Sequence, residues 1–220
     1  MKKIRFTLLA TLSILSIAIF FGFSNQPLIT KDGKDKSKTS FLEGDIVFQT
    51  SSSRQSSAIQ LATNSKYSHC GILLKNREGK LMVAEAVQPV RITPIKEFIK
   101  RGDDHHYVIK RLINRESILT NEVTTKMEEL FYSLEGRDYD IKFEWSDSKI
   151  YCSELVWKIY ERTTGIRLGE PKPLKEYSLN SKLVKKTMEQ RYGEDIPWDE
   201  PMVAPSTIFD SELLETVIEK

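Results

Sequence analysis

The chain opens with an apolar pattern that does not recur. Phe6 to Phe23 is a run of 18 residues without a charge, mainly Leu, Ile, Phe and Ala, diluted by Thr7, Thr11, Ser13, Ser16 and Gly22. It follows the basic Lys2, Lys3 and Arg5. That order of charge and apolarity is the pattern of an export signal, and the run is just long enough to span a bilayer as a helix. No small-x-small cleavage site and no lipid-accepting Cys follows, so a cleaved signal and a retained anchor both stay open. In either case the positive flank stays inside and the rest of the chain is exported. Ser24 to Ser40 then reads as a tether. Its stretch from Thr30 to Ser40 is charged, small and nearly without apolar residues, so it cannot bury itself.

From about Phe41 the pattern becomes that of a folded domain. Gly44 to Gln49 predicts a turn into a buried strand, and His69–Leu74, Leu81–Val87 and His106–Leu112 predict three more. Asn76 to Gly79 supplies a hairpin turn between the second and third. Ser56–Thr63 predicts a short helix. Thr93 as N-cap and Pro94 in the first turn predict another, closed by Gly102. The period then changes. Val123, Met127, Leu130, Phe131 and Leu134 fall at helical spacing before Gly136, and Tyr151–Thr164 and Ser181–Tyr192 predict further helices. Val203 to Ile208 predicts a short extended segment around Pro205. Strands come first and helices after, with a helix inserted, which argues an α+β fold: an antiparallel sheet packed against helices.

Composition narrows the function classes. The chain has 220 residues, with 33 Lys and Arg against 31 Asp and Glu. Without the three basic residues at the amino terminus, 30 basic face 31 acidic residues. A near-neutral body gives no electrostatic reason to bind nucleic acid. Two Cys exclude a disulfide scaffold and a four-Cys zinc site.

The candidate chemistry rests on three residues. Asp147 or Ser148 is a good N-cap, which would put Cys152 in the first turn of the helix that follows. Unpaired N–H groups and the positive end of the helix dipole there favour thiolate, the reactive form. The competing reading is a small buried hydrophobe. A nucleophile needs a base. His69 stands at the start of an apolar strand, placed to face a cleft, whereas His105 and His106 follow Gly102-Asp-Asp104, an exposed loop composition without metal-ligand spacing. A base needs an orienter, and Glu85 lies inside an otherwise apolar strand, where a carboxylate is costly unless paired. If the strands of His69 and Glu85 are neighbours, the two side chains can meet on one face. Cys70 follows His69 directly and so points to the opposite face; it reads as core packing, and a disulfide to Cys152 would block the nucleophile. Tyr177, Tyr192 and Trp198 could line a cleft, though large aromatics more often serve as ordinary packing residues.

Taken together, Gly44–Phe48, Tyr67–Ile72, Val83–Val87, Tyr139–Phe143 and Tyr151–Trp157, with Val203–Ile208 near the end, resemble the circularly permuted branch of the NlpC-type papain-like cysteine hydrolases, the YiiX-like group. The resemblance covers roughly residues 43 to 208. Its most specific feature is the order: His on a strand, Glu on the next, then Cys at a helix start, the reverse of the ordinary papain-like order. It implies Cys152 as nucleophile, His69 as base and Glu85 as orienter, acyl transfer to sulfur, backbone N–H groups at the helix start as oxyanion donors, and no metal or organic cofactor. The expected organisation is a signal or anchor over 1–23, a linker over 24–42, the hydrolase domain over 43–210 and a carboxy-terminal tail over 211–220. The expected substrate is a cell-wall peptide or another acylated amine. A lipid amidase or acyltransferase, held near the membrane through residues 6–23, is the alternative within enzymes. A peptide- or lipid-binding module without turnover is the alternative outside them.

Overall fold

The computed structural model describes residues 40–220. The signal or anchor expected over 1–23, and nearly all of the linker expected over 24–42, lie outside them. No helix among the described residues is long and apolar enough to cross a membrane. Phe41 packs beside Tyr107 with ring centroids 6.1 Å apart, so the folded body is already engaged at that position.

Five strands come in the first part of the chain: β1 (Ile46–Gln49), β2 (His69–Lys75), β3 (Leu81–Glu85), β4 (Arg91–Thr93) and β5 (Val108–Leu112). Helices α1 (Arg54–Thr63) and α2 (Ile95–Arg101) are inserted among them. Then follow α3 (Arg115–Ile118), α4 (Asn121–Leu134), α5 (Cys152–Thr164), β6 (Lys172–Pro173), α6 (Lys182–Tyr192), β7 (Pro201–Met202), α7 (Pro205–Phe209) and β8 (Leu214–Glu219). Six strands form one sheet in the order β4-β3-β2-β1-β5-β8, every neighbouring pair antiparallel. β6 and β7 form a separate small pair.

Alternation along the strands sorts the core into two layers, because successive side chains point to opposite faces. Ile46, Phe48, Cys70, Ile72, Leu74 and Ala84 pack with Met127 and Phe131 of α4 and with Leu155, Val156 and Ile159 of α5. Val47, Leu73, Val83 and Ile109 pack on the other face with Phe98 of α2. Both faces are covered, which is why the strands read as near-continuous apolar runs. A buried fork joins the layers' rim: Arg111 donates from Nε and Nη2 to the two carboxylate oxygens of Asp45, each at 2.7 Å. A third cluster, Leu174, Val184 and Met188, seats α6 against Ala62 of α1.

Four local expectations need correction. Thr93 does not cap α2. It ends β4, its hydroxyl is taken by Glu85, and Pro94 precedes the helix without a side-chain cap bond. The helix at Cys152 begins later than Asp147 or Ser148, with Tyr151 as N-cap, because Ile150 is held extended by a bridge to Tyr139. Asp147 instead pairs with Lys158 and Arg162 of α5. Val203–Ile208 is not extended throughout: Pro205, pre-set for the first helical position, starts α7. Residues 211–220 are not a tail outside the domain. Leu214–Glu219 is edge strand β8, paired with β5, with Leu214 buried and Val217 and Ile218 packed on the α2 side. Glu212, Glu215, Glu219 and Lys220 mask that strand, and such charges are what an exposed edge carries.

Candidate active site

His69 is the first residue of β2, so its ring stands at the strand end rather than within the sheet. Glu85 is the last residue of β3 and is fully buried. Registered pairing runs from Lys75 with Leu81 to Ile72 with Ala84, which puts Gly71 next in line opposite Glu85. A Cβ added to Gly71 would fall 2.5 Å from Val83 Cγ1 and 3.0 Å from the Ala84 carbonyl oxygen. The bare backbone at Gly71 keeps this corner open, and the His69 imidazole crosses it: Nε2 lies 2.7 Å from Glu85 Oε2. Phe98 stacks on the other side of the ring at 5.5 Å. The second carboxylate oxygen, Oε1, accepts from Thr93 Oγ1 at 2.6 Å and from Arg101 Nη2. Glu85 is therefore paired and hydrogen-bonded on both oxygens, the condition for burying a carboxylate.

Cys152 is the first residue of α5, where the backbone N–H groups have no helical partner. Its two neighbours are tied to one residue of the carboxy-terminal segment. Ser153 Oγ donates to the Val203 carbonyl at 2.7 Å, and the Val203 N–H donates to Tyr151 Oη at 3.2 Å. Glu154 accepts the Tyr151 N–H at 3.3 Å and pairs with Lys158 Nζ at 2.6 Å, both side chains buried. The helix start is thus held from three directions. This is the structural role of the Val203–Ile208 motif, which the sequence pattern does not reveal.

The fold brings Cys152, His69 and Glu85 together. Cys152 and His69 are electrostatic neighbours: the charge of each favours the charged form of the other. Because Nε2 serves Glu85, Nδ1 is the ring nitrogen left for the sulfur. Cys70 does point away from the His69 face, as expected, but that opposite face is the one that α5 covers. Cys70 and Cys152 are both free, both buried and in one cluster.

The electrostatics follow from these contacts. The Cys70 thiol is the strongest influence on Cys152; with the His69 ring and the Cys70 N–H it outweighs burial and holds the Cys152 thiol well below its ordinary range. Burial, then the Cys152 charge, push Cys70 well above its own. Burial works against a charged His69, but Cys152 and Glu85 outweigh it and lift its pKa to about 9. Burial would likewise raise Glu85, yet His69, Thr93 and Arg101 bring it down to about 2. These shifts all favour the charged forms: a thiolate, an imidazolium and a carboxylate side by side.

Cys152 borders a cleft between α1, α6 and the start of α5. Its walls are mainly apolar, among them Ala58, Ile59, Leu174, Val184, Met188 and Val203. Tyr177 and Tyr192 line it too, so they are not merely packing residues; Trp198 is exposed and does not line it. Gln55 and Tyr139, which sequence reasoning did not single out, also face the cleft. Gln55 Nε2 donates to Tyr139 Oη at 3.1 Å, which leaves the Tyr139 proton free to donate elsewhere. Burial, then the Cys152 charge, push the Tyr139 hydroxyl well above its usual range, so it stays protonated. Tyr139 stands in one of the segments that carry the family resemblance, but nothing in its spacing marks it as a neighbour of Cys152. His105 is exposed on its loop, and His106 is half-buried and stacked with Tyr67.

Comparison with known proteins agrees with this arrangement. Residues 40–218 match the family model described as permuted papain-like amidase enzyme, YaeF/YiiX, C92 family. The chain is 45% identical over 174 residues to the uncharacterized protein YiiX of Escherichia coli K12, covering 79% of this chain and 84% of that protein. It is also similar to the crystal structure of YiiX from Escherichia coli O157:H7, with a TM-score of 0.76 and 44% identity, covering 81% of this chain and 97% of the other. That protein is described as a metalloprotein. Among the described residues here, no three His, Cys, Asp or Glu side chains are grouped so that they could hold a metal ion. With a family model that spans nearly all of the described residues, the chain belongs to the permuted papain-like amidase family of YaeF and YiiX.

Proposed function

We propose that the protein is a cysteine hydrolase that cleaves an amide or ester of an apolar acyl group through Cys152, His69 and Glu85. The observation that carries this reading is the 2.7 Å contact of His69 with a fully buried Glu85, with Cys152 as the ring's electrostatic neighbour at the edge of an apolar cleft. The Cys152 thiolate attacks the carbonyl carbon. The oxyanion forms against the N–H groups at the start of α5, with the Tyr139 hydroxyl as side-chain donor. Imidazolium His69 gives its proton to the departing amine or alcohol as the C–N or C–O bond breaks, leaving a thioester on Cys152. His69 then takes a proton from water, hydroxide adds to the thioester, and the acid leaves as the Cys152–His69 ion pair is restored. Glu85 holds the ring and its charge throughout.

The cleft favours an acylated amine or lipid-like acyl compound over a charged cell-wall peptide, because its walls offer apolar surface and a single charged side chain. A non-catalytic binding module has no use for a buried carboxylate held against the ring of a histidine that neighbours a thiol. We place this chemistry outside the cytoplasm, on the strength of the basic and apolar order of residues 2–23. The test is hydrolysis of an N-decanoyl anilide by the full chain. Wild type is expected to release decanoate, and Cys152→Ala to lose turnover while keeping its unfolding midpoint. Equal turnover by the variant would remove Cys152 from the reaction.

A further inference from the structure

We propose that Arg191 determines specificity by anchoring a carboxylate on the substrate, so that the preferred substrate is an acylated amino acid rather than a neutral acyl amide. The inference rests on the acyl-hydrolase reading above and adds the leaving group's chemistry to it.

Arg191 is the single charged side chain among the residues that line the cleft beside Cys152. It projects from the last turn of α6 and is half-buried. Its guanidinium stacks over the Phe143 ring, 4.4 Å from the centroid. No carboxylate among the described residues pairs with it. Asp140, the buried carboxylate of the adjoining loop, is already occupied by the N–H groups of Lys142 at 2.8 Å and Glu144 at 2.6 Å.

The platform beneath Arg191 is itself held at a cost. Phe143 has a backbone φ of 56°, a left-handed conformation that a bulky non-glycine residue rarely adopts. The two Asp140 bonds hold that loop. Phe143 also meets Tyr151, the residue before Cys152, edge to face at 5.1 Å. One chain of contacts therefore runs from the nucleophile's neighbour through the Phe143 ring, on its left-handed backbone, to an Arg whose fork has no anionic partner among the described residues. A guanidinium stacked on a ring presents its N–H edge in a fixed direction, which matches a planar carboxylate in two-point contact. A phosphate dianion calls for more than one cation, and the cleft supplies one. With the acyl chain on the apolar walls and the carbonyl at Cys152, a carboxylate on the amine side completes the match. A helix-end role alone, favourable for any cation near a helix carboxy terminus, does not account for a position inside the cleft.

Binding tests this separately from turnover. Calorimetry on the full chain carrying Cys152→Ala would compare N-decanoylglycine, its neutral near-isostere N-decanoylglycinamide, and decyl phosphate. The expected result is N-decanoylglycine binding at least about 10-fold tighter than the amide. Adding Arg191→Gln is expected to abolish that advantage while changing the amide's affinity less than about twofold, which also reports an intact cleft. Equal binding of acid and amide, an advantage retained without Arg191, tighter binding of decyl phosphate, or binding of none of the three would overturn the proposal. Because the nucleophile is absent from every arm, a failed hydrolase assignment leaves these outcomes readable, and a failed anchor leaves the hydrolase assignment untouched.

Discussion

Gly71 and Glu85 face each other across β2 and β3, and the missing side chain of the first is what gives the second its partner. A methyl group on Gly71 would meet Val83 Cγ1 at 2.5 Å, Ala84 O at 3.0 Å and Glu85 Cβ at 3.4 Å. The first two atoms belong to the packed strand and cannot simply turn away. Gly71→Ala should therefore destabilise the fold by about 1–3 kcal/mol, as overpacking does, and should displace the His69–Glu85 contact. Denaturant unfolding gives the first quantity. Loss of turnover in samples that remain folded gives the second, and a variant with wild-type stability and turnover would show that this corner has slack.

Glu85 holds His69 through one oxygen and Thr93 and Arg101 through the other. Glu85→Gln keeps the size but removes the charge that supports imidazolium. Turnover should fall by about 10²-fold or more, by analogy with the loss of the orienting carboxylate in catalytic triads. Its alkaline limit should move to lower pH. A variant with the same limit and a reduced rate would indicate that Glu85 only packs.

Activity and stability should share one pH plateau. A His69 pKa raised from 6.5 to about 9 contributes stability that is complete below 6.5 and lost as pH rises through about 9. The depressed Cys152 pKa has the opposite sense: its contribution is complete above 9 and lost as pH falls through the lowered value. Above the lowered Cys152 value, and between 6.5 and about 9, the two offset, since each state then holds one proton on the pair. Unfolding free energy from these groups should be nearly flat there, while turnover holds a plateau and declines above about 9. Glu85, lowered from 4.5 to about 2, adds stability present above 4.5 and lost as pH falls toward 2. Chemical denaturation and kcat/KM measured over one pH series check both statements; a turnover limit near 6.5 would contradict the ion pair.

Much of this was legible in the sequence. The apolar runs fixed β1, β2, β3 and β5, and the switch to helical spacing fixed α4 and α5. A carboxylate inside the run at Leu81–Val87 and a histidine at the head of another already pointed to the His69–Glu85 pair. What stayed hidden depends on distant contacts. Leu214–Glu219 carries edge charges that conceal a strand, and β4 is too short for a period. Gln55, Tyr139 and Arg191 reach the cleft only once α1, α6 and the loop before α5 are packed together. Tyr151, a poor N-cap by type, begins α5 because Ile150, Glu154 and Val203 hold it there.

The bracket around Cys152 also carries a prediction. Ser153 Oγ donates to Val203 O from a buried position, so Ser153→Ala leaves that carbonyl without its partner. The expected cost is about 1–3 kcal/mol, accompanied by reduced turnover, because the same bond steadies the first turn that presents the sulfur. Thermal unfolding and kcat together check this; full activity with lowered stability would confine Ser153 to a structural role.

The sulfur's ionisation is the most direct test of the whole account. Iodoacetamide alkylation of the full chain, with modified peptides quantified over a pH series, reports Cys152 and Cys70 separately. Cys152, at the cleft and paired with His69, should react the faster and retain its rate well below pH 8, whereas Cys70 should resist. Slow labelling of both thiols at equal rates, rising only near pH 9, would contradict the thiolate–imidazolium pair and with it the hydrolase assignment.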